Sequence, residues 1–125
     1  MIKTKELKIK EKTEAQEQSA LIKHCDILGF PYSLLFHIPN GGSRNMIEAV
    51  NLKRQGVKAG VPDLFLPYAS KGYHGLFIEM KALRKGAKTS EEQDAWLSIL
   101  ENNGYKCNVC YGEKEALIAL EDYIK

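Results

Sequence analysis

Apolar residues that recur three or four positions apart predict helices in four parts of the chain. In residues 14–28, Leu21 and Cys25 lie on one stripe, and Gly29 stands where a helix would end. A second helix is predicted from RNMIEAVNLKRQG, residues 44–56, whose apolar side chains also share one side. Both segments therefore have the pattern of amphipathic helices.

The two remaining helices are predicted near the C-terminal end. TSEEQDAWLSILENNG, residues 89–104, contains Ser90 and Gln93, which together form a capping box at the start of an apolar stripe. Gly104 is predicted to end this helix. EKEALIALEDYI, residues 113–124, has the pattern of a last amphipathic helix.

Short apolar runs bounded by turn-forming residues predict four β-strands. These runs are SLLFHI, DLFLPY, GLFIEMKA and YKCNVCY, which begin at residues 33, 63, 75 and 105. The loop ASKGYH has a length that suits a hairpin between the second and third strands. The resulting order, α-β-α-β-β-α-β-α, predicts an α/β fold with a mixed central sheet flanked by helices.

Composition sets the size and the setting of this fold. The 125 residues suit one domain, predicted over residues 14–125, after a basic N-terminal arm of residues 1–13 in which LKIK is either mobile or an edge strand. No apolar run approaches the roughly 20 residues that a membrane span needs. Three cysteines cannot all pair, and no signal segment opens the chain, so we expect a reduced, cytoplasmic protein.

The cysteine and histidine positions do not indicate a zinc site. Cys107 and Cys110 form a CxxC pair, but they lie in a predicted strand, where residues three apart face opposite sides. A zinc site would need a second pair of ligands, and His24, His37 and His74 offer no ligand spacing. We therefore interpret these residues as packing or surface residues.

The predicted hairpin carries charge inside its apolar runs. Alternation places Glu79 and Lys81 on one face of the third strand, and Asp63 follows Pro62 at the start of the second. A hairpin brings the two carboxylates together, and carboxylates a few Å apart resist joint ionisation unless a cation lies between them. An oxygen-rich site of this kind suits Mg²⁺ or Mn²⁺.

Other polar side chains add to this pattern. Lys81 would orient or deprotonate a water molecule, or hold a phosphate oxygen as charge develops. Glu17 and Gln93 lie on the apolar stripes of the first and third helices. The alternative is that the sheet acids and Lys81 lie on a solvated sheet face, and that the two helix residues reach solvent at the ends of their stripes.

With these residues in place, the chain resembles the virus-type replication-repair nuclease (VRR-NUC) family of the PD-(D/E)XK nuclease superfamily. The resemblance covers nearly everything from Glu14 onward, and it is carried by IPNGGSR, LKRQGVKAGVPDLFLP, FIEMKA and SEEQ. It implies a restriction-endonuclease-like core and a metal-dependent endonuclease that hydrolyses phosphodiester bonds in DNA.

The resemblance also implies roles for single residues. The implied catalytic residues are Glu17, Asp63, Glu79, Lys81 and Gln93. Asp63 and Glu79 would bind Mg²⁺ or Mn²⁺ with the main-chain carbonyl of Met80, and Glu17 would support the metal directly or through water. Lys81 would be the catalytic lysine, and Gln93 would be an auxiliary residue of the active site.

The chain looks like the stand-alone members of this family, which occur in phages and bacteria. Such members are associated with homodimers that cut branched DNA such as Holliday junctions. Two symmetric strands need two symmetric active sites, which gives the dimer a physical reason. The resemblance therefore implies a homodimer that acts on branched DNA in the cytoplasm of a bacterial cell or phage host.

Basic and small residues around the predicted site are candidates for DNA contacts. Arginines and lysines flank the PNGG turn and follow the catalytic strand, and glycines let backbone amides approach a phosphate. The predicted DNA-binding residues are Asn40, Gly41, Gly42, Arg44, Lys53, Arg54, Lys58, Arg84, Lys85 and Lys88. The alternative is that the exposed basic residues only keep the protein soluble.

Two other functions stay open on the sequence alone. A catalytically silent DNA-binding module would keep the nuclease fold as a scaffold, whereas a protein-interaction domain would carry the sheet acids on its surface. Cleavage that depends on Mg²⁺ excludes the first. Failure to bind any nucleic acid at low salt would favour the second.

Overall fold

A four-stranded sheet flanked by four helices forms the part of the chain that this computed structural model describes, residues 12–40 and 45–125. The helices are α1 (Glu14–Leu28), α2 (Met46–Arg54), α3 (Glu91–Asn102) and α4 (Gly112–Ile124). The strands are β1 (Phe36–His37), β2 (Leu64–Leu66), β3 (Leu76–Lys81) and β4 (Lys106–Tyr111). None of these helices is long and apolar enough to cross a membrane.

The sheet is mixed, as the sequence predicts. Its strand order is β1-β2-β3-β4, and β2 and β3 form the predicted antiparallel hairpin. β4 returns parallel to β3 after α3, with Val109 beside Glu79. The α/β class and the element order are therefore confirmed, with an added 3₁₀ turn at Tyr32–Leu34.

The main core lies between one face of the sheet and helices α1 and α4. Ile78 and Met80 of β3 are fully buried there, together with Leu21 of α1 and Leu120 of α4. Since side chains alternate along a strand, Glu79 points to the opposite face of the sheet. The hydrophobic core thus fixes the strand that carries the candidate site.

The two cysteines of the CxxC pair lie within β4 and point to opposite faces of the sheet, as predicted. The Cys110 side chain is buried in the core, whereas the Cys107 thiol lies 3.8 Å from the Leu97 carbonyl of α3. Burial raises the pKa of Cys110 to about 12, so this thiol is unreactive at neutral pH. Both cysteines therefore act as packing residues.

The first strand of the structure is shorter than the sequence predicts. The strand predicted at residues 33–38 was wrong for its first part, because the Leu34 and Leu35 amides donate to the Pro31 and Tyr32 carbonyls and coil this segment. The coil buries Leu35 in the core. Residues 1–11 of the predicted arm lie outside the described residues.

Candidate metal centre

Three acidic side chains meet beside the β2–β3 hairpin. One carboxylate oxygen from each of Glu14, Asp63 and Glu79 lies within 4.8 Å of the other two. Asp63 and Glu79 are only 7% and 1% exposed, whereas Glu14 lies at the exposed rim. No other group of three potential metal ligands occurs in residues 12–40 and 45–125.

Both oxygens of the Asp63 carboxylate accept hydrogen bonds. The Met80 amide donates to Asp63 Oδ2 at 2.8 Å, and Asn40 Nδ2 donates to Oδ1 at 3.3 Å. The same Asn40 amide donates to the Val61 carbonyl at 2.9 Å. Both N–H groups of Asn40 are thus engaged inside the protein, where they orient Asp63.

Glu79 has one satisfied oxygen and one without a donor. Its Oε2 accepts a hydrogen bond from Gln93 Nε2 at 3.1 Å and lies 3.9 Å from Lys81 Nζ. Its Oε1 is buried and has no hydrogen-bond donor among the described residues. A hydrogen bond between the Asp63 and Glu79 carboxylates, neither of which has a donor when ionised, requires a proton that the two groups share. A buried polar atom without a donor is costly, so this oxygen is a ready cation ligand.

Burial is the main cause of an unusually high pKa at this centre. Together with a hydrogen bond to Asp63 and the charge of Asp63, it raises the pKa of Glu79 to about 9, although Lys81 acts in the opposite direction. Burial and the charge of Asp63 also raise the pKa of Glu14. The metal-free cluster therefore holds a proton at neutral pH, and a divalent cation would take its place. Carboxylate oxygens are the ligands that Mg²⁺ and Mn²⁺ prefer, so the residues fit such an ion.

Gln93 joins the start of α3 to the acidic cluster. Its Oε1 accepts from the Ser90 amide at 2.8 Å, which completes the predicted capping box, and also from Lys81 Nζ at 3.0 Å. Its Nε2 donates to Glu79. One side chain therefore starts a helix and fixes the relative positions of Lys81 and Glu79.

The structure places Glu17 apart from the acidic cluster, at the start of α4. Its Oε2 accepts a hydrogen bond from the Glu113 amide at 2.7 Å, where a negative charge also interacts favourably with the helix dipole. The acid of α1 that joins Asp63 is Glu14, one turn earlier. The sequence signal for Glu14 is the Thr13 capping box, which makes Glu14 the first helical residue.

The predicted DNA-binding residues fall into three groups. Asn40 and Lys53 line a cavity of about 190 Å³, and Arg84 lines another of about 370 Å³ beside Glu14. The remaining described basic residues are exposed on α2, on the α2–β2 loop and on the β3–α3 loop: Arg54, Lys58, Lys85 and Lys88. Gly41, Gly42 and Arg44 lie outside the described residues.

Comparison with known proteins identifies the family of the chain. A family model described as the VRR-NUC domain matches residues 6–114, which include all three clustered acids. The chain belongs to the VRR-NUC family. A solved structure described as a VRR_NUC domain protein is 28% identical, with a TM-score of 0.78 over 92% of this chain and 90% of that one. No curated protein matches the chain.

Membership of the VRR-NUC family gives the acidic cluster a chemical context. The family implies nuclease activity, with DNA as the substrate. A nuclease domain also suggests a divalent metal, for which Glu14, Asp63 and Glu79 form a suitable set of ligands.

The raised pKa of Glu79 predicts how the stability of the metal-free protein depends on pH. In the unfolded chain Glu79 loses its proton near its ordinary pKa of 4.5, whereas the folded state keeps that proton up to about pH 9. The free energy of unfolding should therefore fall as pH rises through this interval, with a slope of at most about 1.4 kcal/mol per pH unit. Glu79→Gln should flatten this profile, because the amide imitates the neutral acid. Urea unfolding in EDTA at several pH values tests this, and equal slopes in both proteins would contradict it.

The positions of Glu14 and Glu17 predict opposite results for two matched substitutions. Glu14→Gln should weaken Mn²⁺ binding by at least about tenfold, because a carboxylate ligand loses its charge. Glu17→Gln should weaken it by less than about threefold, because the amide oxygen can still accept from the Glu113 N–H. Isothermal titration calorimetry measures both affinities. A larger loss of Mn²⁺ affinity in Glu17→Gln than in Glu14→Gln would instead identify Glu17 as the metal ligand.

Proposed function

We propose that this VRR-NUC protein is an endonuclease that hydrolyses phosphodiester bonds in DNA with Mg²⁺ or Mn²⁺. The supporting observation is the Glu79 carboxylate, whose buried Oε1 has no donor among the described residues and of which one oxygen lies within 4.8 Å of an oxygen from each of two further acids. A solvated sheet face does not account for a glutamate that is 1% exposed. A cation ligand does account for it, because the cation compensates the buried charge.

Glu14, Asp63 and Glu79 would hold the ion, with the main-chain carbonyl of Met80 as a further ligand. When bound, the ion lowers the pKa of water and neutralises charge on a phosphate. In this proposal Glu17 anchors α1 to α4 through its bond to the Glu113 amide and thereby positions Glu14.

Lys81 is positioned to contact the substrate phosphate or a water molecule beside it. Its Nζ donates to Gln93 at 3.0 Å and lies 3.9 Å from Glu79 Oε2, so the ammonium group is fixed at the edge of the acidic cluster. Its other N–H groups are available to orient a water molecule or to hold a phosphate oxygen as charge develops. Gln93 acts here as a positioning residue, because it contacts both Lys81 and Glu79.

We further propose that the protein acts as a homodimer on branched DNA. The described part of each chain has one acidic cluster, and paired cuts in two symmetric strands need two such clusters. Met46 and Ile47 on α2 are 82% and 74% exposed, and they offer an apolar surface that a second copy would cover. Sedimentation of the protein alone and with junction DNA measures this stoichiometry.

Cleavage assays test the proposed activity. Purified protein should cut labelled DNA with Mg²⁺ or Mn²⁺ but not with EDTA, and a panel of linear, nicked, flapped and four-way junction substrates identifies the preferred structure. Glu79→Gln should reduce cleavage by at least about 100-fold, because the site loses a charged ligand without a change of shape. Lys23→Ala, a change of one exposed charge on α1, should leave cleavage unchanged.

Each negative result has its own meaning. DNA binding without cleavage in either metal would identify a silent DNA-binding module. Absence of binding to any nucleic acid at low salt would identify a protein-interaction domain. Full cleavage by Glu79→Gln would end the assignment of the acidic cluster as the active site.

A further inference from the structure

A cavity of about 370 Å³ opens next to the acidic cluster, on the side of Glu14. It lies between the start of α1 and the segment that follows Lys81 at the end of β3. Its lining residues are Lys12, Thr13, Glu14, Ala82, Leu83 and Arg84. The wall of the cavity thus runs from a proposed metal ligand to two cations.

The two cations lie on separate segments of the chain and are both exposed. Lys12 precedes α1, and Arg84 follows β3. Within the part of the chain that the structure describes, neither side chain forms an ion pair with a carboxylate within 4.0 Å. Arg84 acts on Glu14 only at longer range, where its charge lowers the pKa of Glu14, so both cations can still donate hydrogen bonds to an anion that enters the cavity.

Leu83 gives the cavity an apolar wall in a fixed position. It is 55% exposed, yet its side chain packs closely on Gly112 at the start of α4. A Cβ atom added at Gly112 would lie 2.7 Å from Leu83 Cδ1, so the glycine makes this close packing possible. A sugar ring is a suitable partner for such a wall.

We infer that this cavity holds one nucleotide of the cleaved strand, with its outer phosphate between Lys12 and Arg84 and its sugar against Leu83. The inference rests on the proposed function, because a strand whose scissile phosphate reaches the acidic cluster must place the adjacent nucleotide beside it. Arginine binds phosphate oxygens through two parallel N–H groups, and lysine adds a point charge. Such contacts position a strand without reading its sequence.

Small nucleotides with one or two phosphates test this subsite directly. In the presence of Mn²⁺, calorimetry compares thymidine 3′,5′-bisphosphate with the 3′- and 5′-monophosphates. The bisphosphate should bind on the order of tenfold more tightly than either monophosphate, because its second phosphate reaches the two cations. Arg84→Ala and Lys12→Ala should each reduce this advantage to less than about threefold. Lys23→Ala serves as the matched control and should keep the full advantage.

The outcomes separate the subsite from the nuclease activity. If wild-type protein cleaves DNA and binds Mn²⁺ but shows no preference for the bisphosphate, the subsite is refuted and the proposed function stands. The same holds if the preference survives in Arg84→Ala combined with Lys12→Ala, since the two cations then only balance the charge of Glu14. If wild-type protein neither binds Mn²⁺ nor cleaves DNA, the proposed function fails and the subsite fails with it.

Discussion

The burial of Glu79 beside Asp63 is the constraint on which the rest of this structure depends. Two carboxylates that share a site with little water repel one another, and each loses much of its hydration. Without a metal, a proton held by Glu79 relieves the repulsion. Bound to a divalent cation, both groups can be ionised. The acidic cluster could therefore hold a divalent cation, and the hydrogen bonds from Met80, Asn40 and Gln93 keep Asp63 and Glu79 in place without one.

The fold keeps these acids together by using the same groups for structure and for the site. β3 lies between β2 and β4. Its Ile78 and Met80 side chains are fully buried in the core, on the face of the sheet opposite to Glu79. The Met80 amide donates to Asp63, and Gln93 both caps α3 and bridges Lys81 to Glu79. Loss of the Gln93 side chain would consequently affect both the start of α3 and the positions of Lys81 and Glu79.

Local signals were sufficient for most of the fold. The capping box at Ser90, the length of the hairpin loop and the alternation in β3 depend only on neighbouring residues, and the structure confirms each of them. The outward apolar side of α2, with Met46 largely exposed, shows where periodicity fails, since it cannot tell a core-facing stripe from a surface one. The bridging role of Asn40 was also missed, because its partner Asp63 lies far away in the sequence.

Periodicity also fails to predict whether Glu14 or Glu17 joins the acidic cluster. The two residues lie one helical turn apart and share a face of α1, so periodicity cannot rank them. The placement of α1 against β3 and α4 decides which one reaches Asp63, and that placement depends on long-range packing. The Glu17 bond to the Glu113 amide is one of the contacts that set it.

The most direct test of this account is a crystal structure of the protein grown with Mn²⁺, with anomalous diffraction recorded near the manganese edge. The account predicts an anomalous peak bounded by the carboxylates of Glu14, Asp63 and Glu79. A peak elsewhere, or no peak at saturating Mn²⁺ with those carboxylates turned apart, would contradict it.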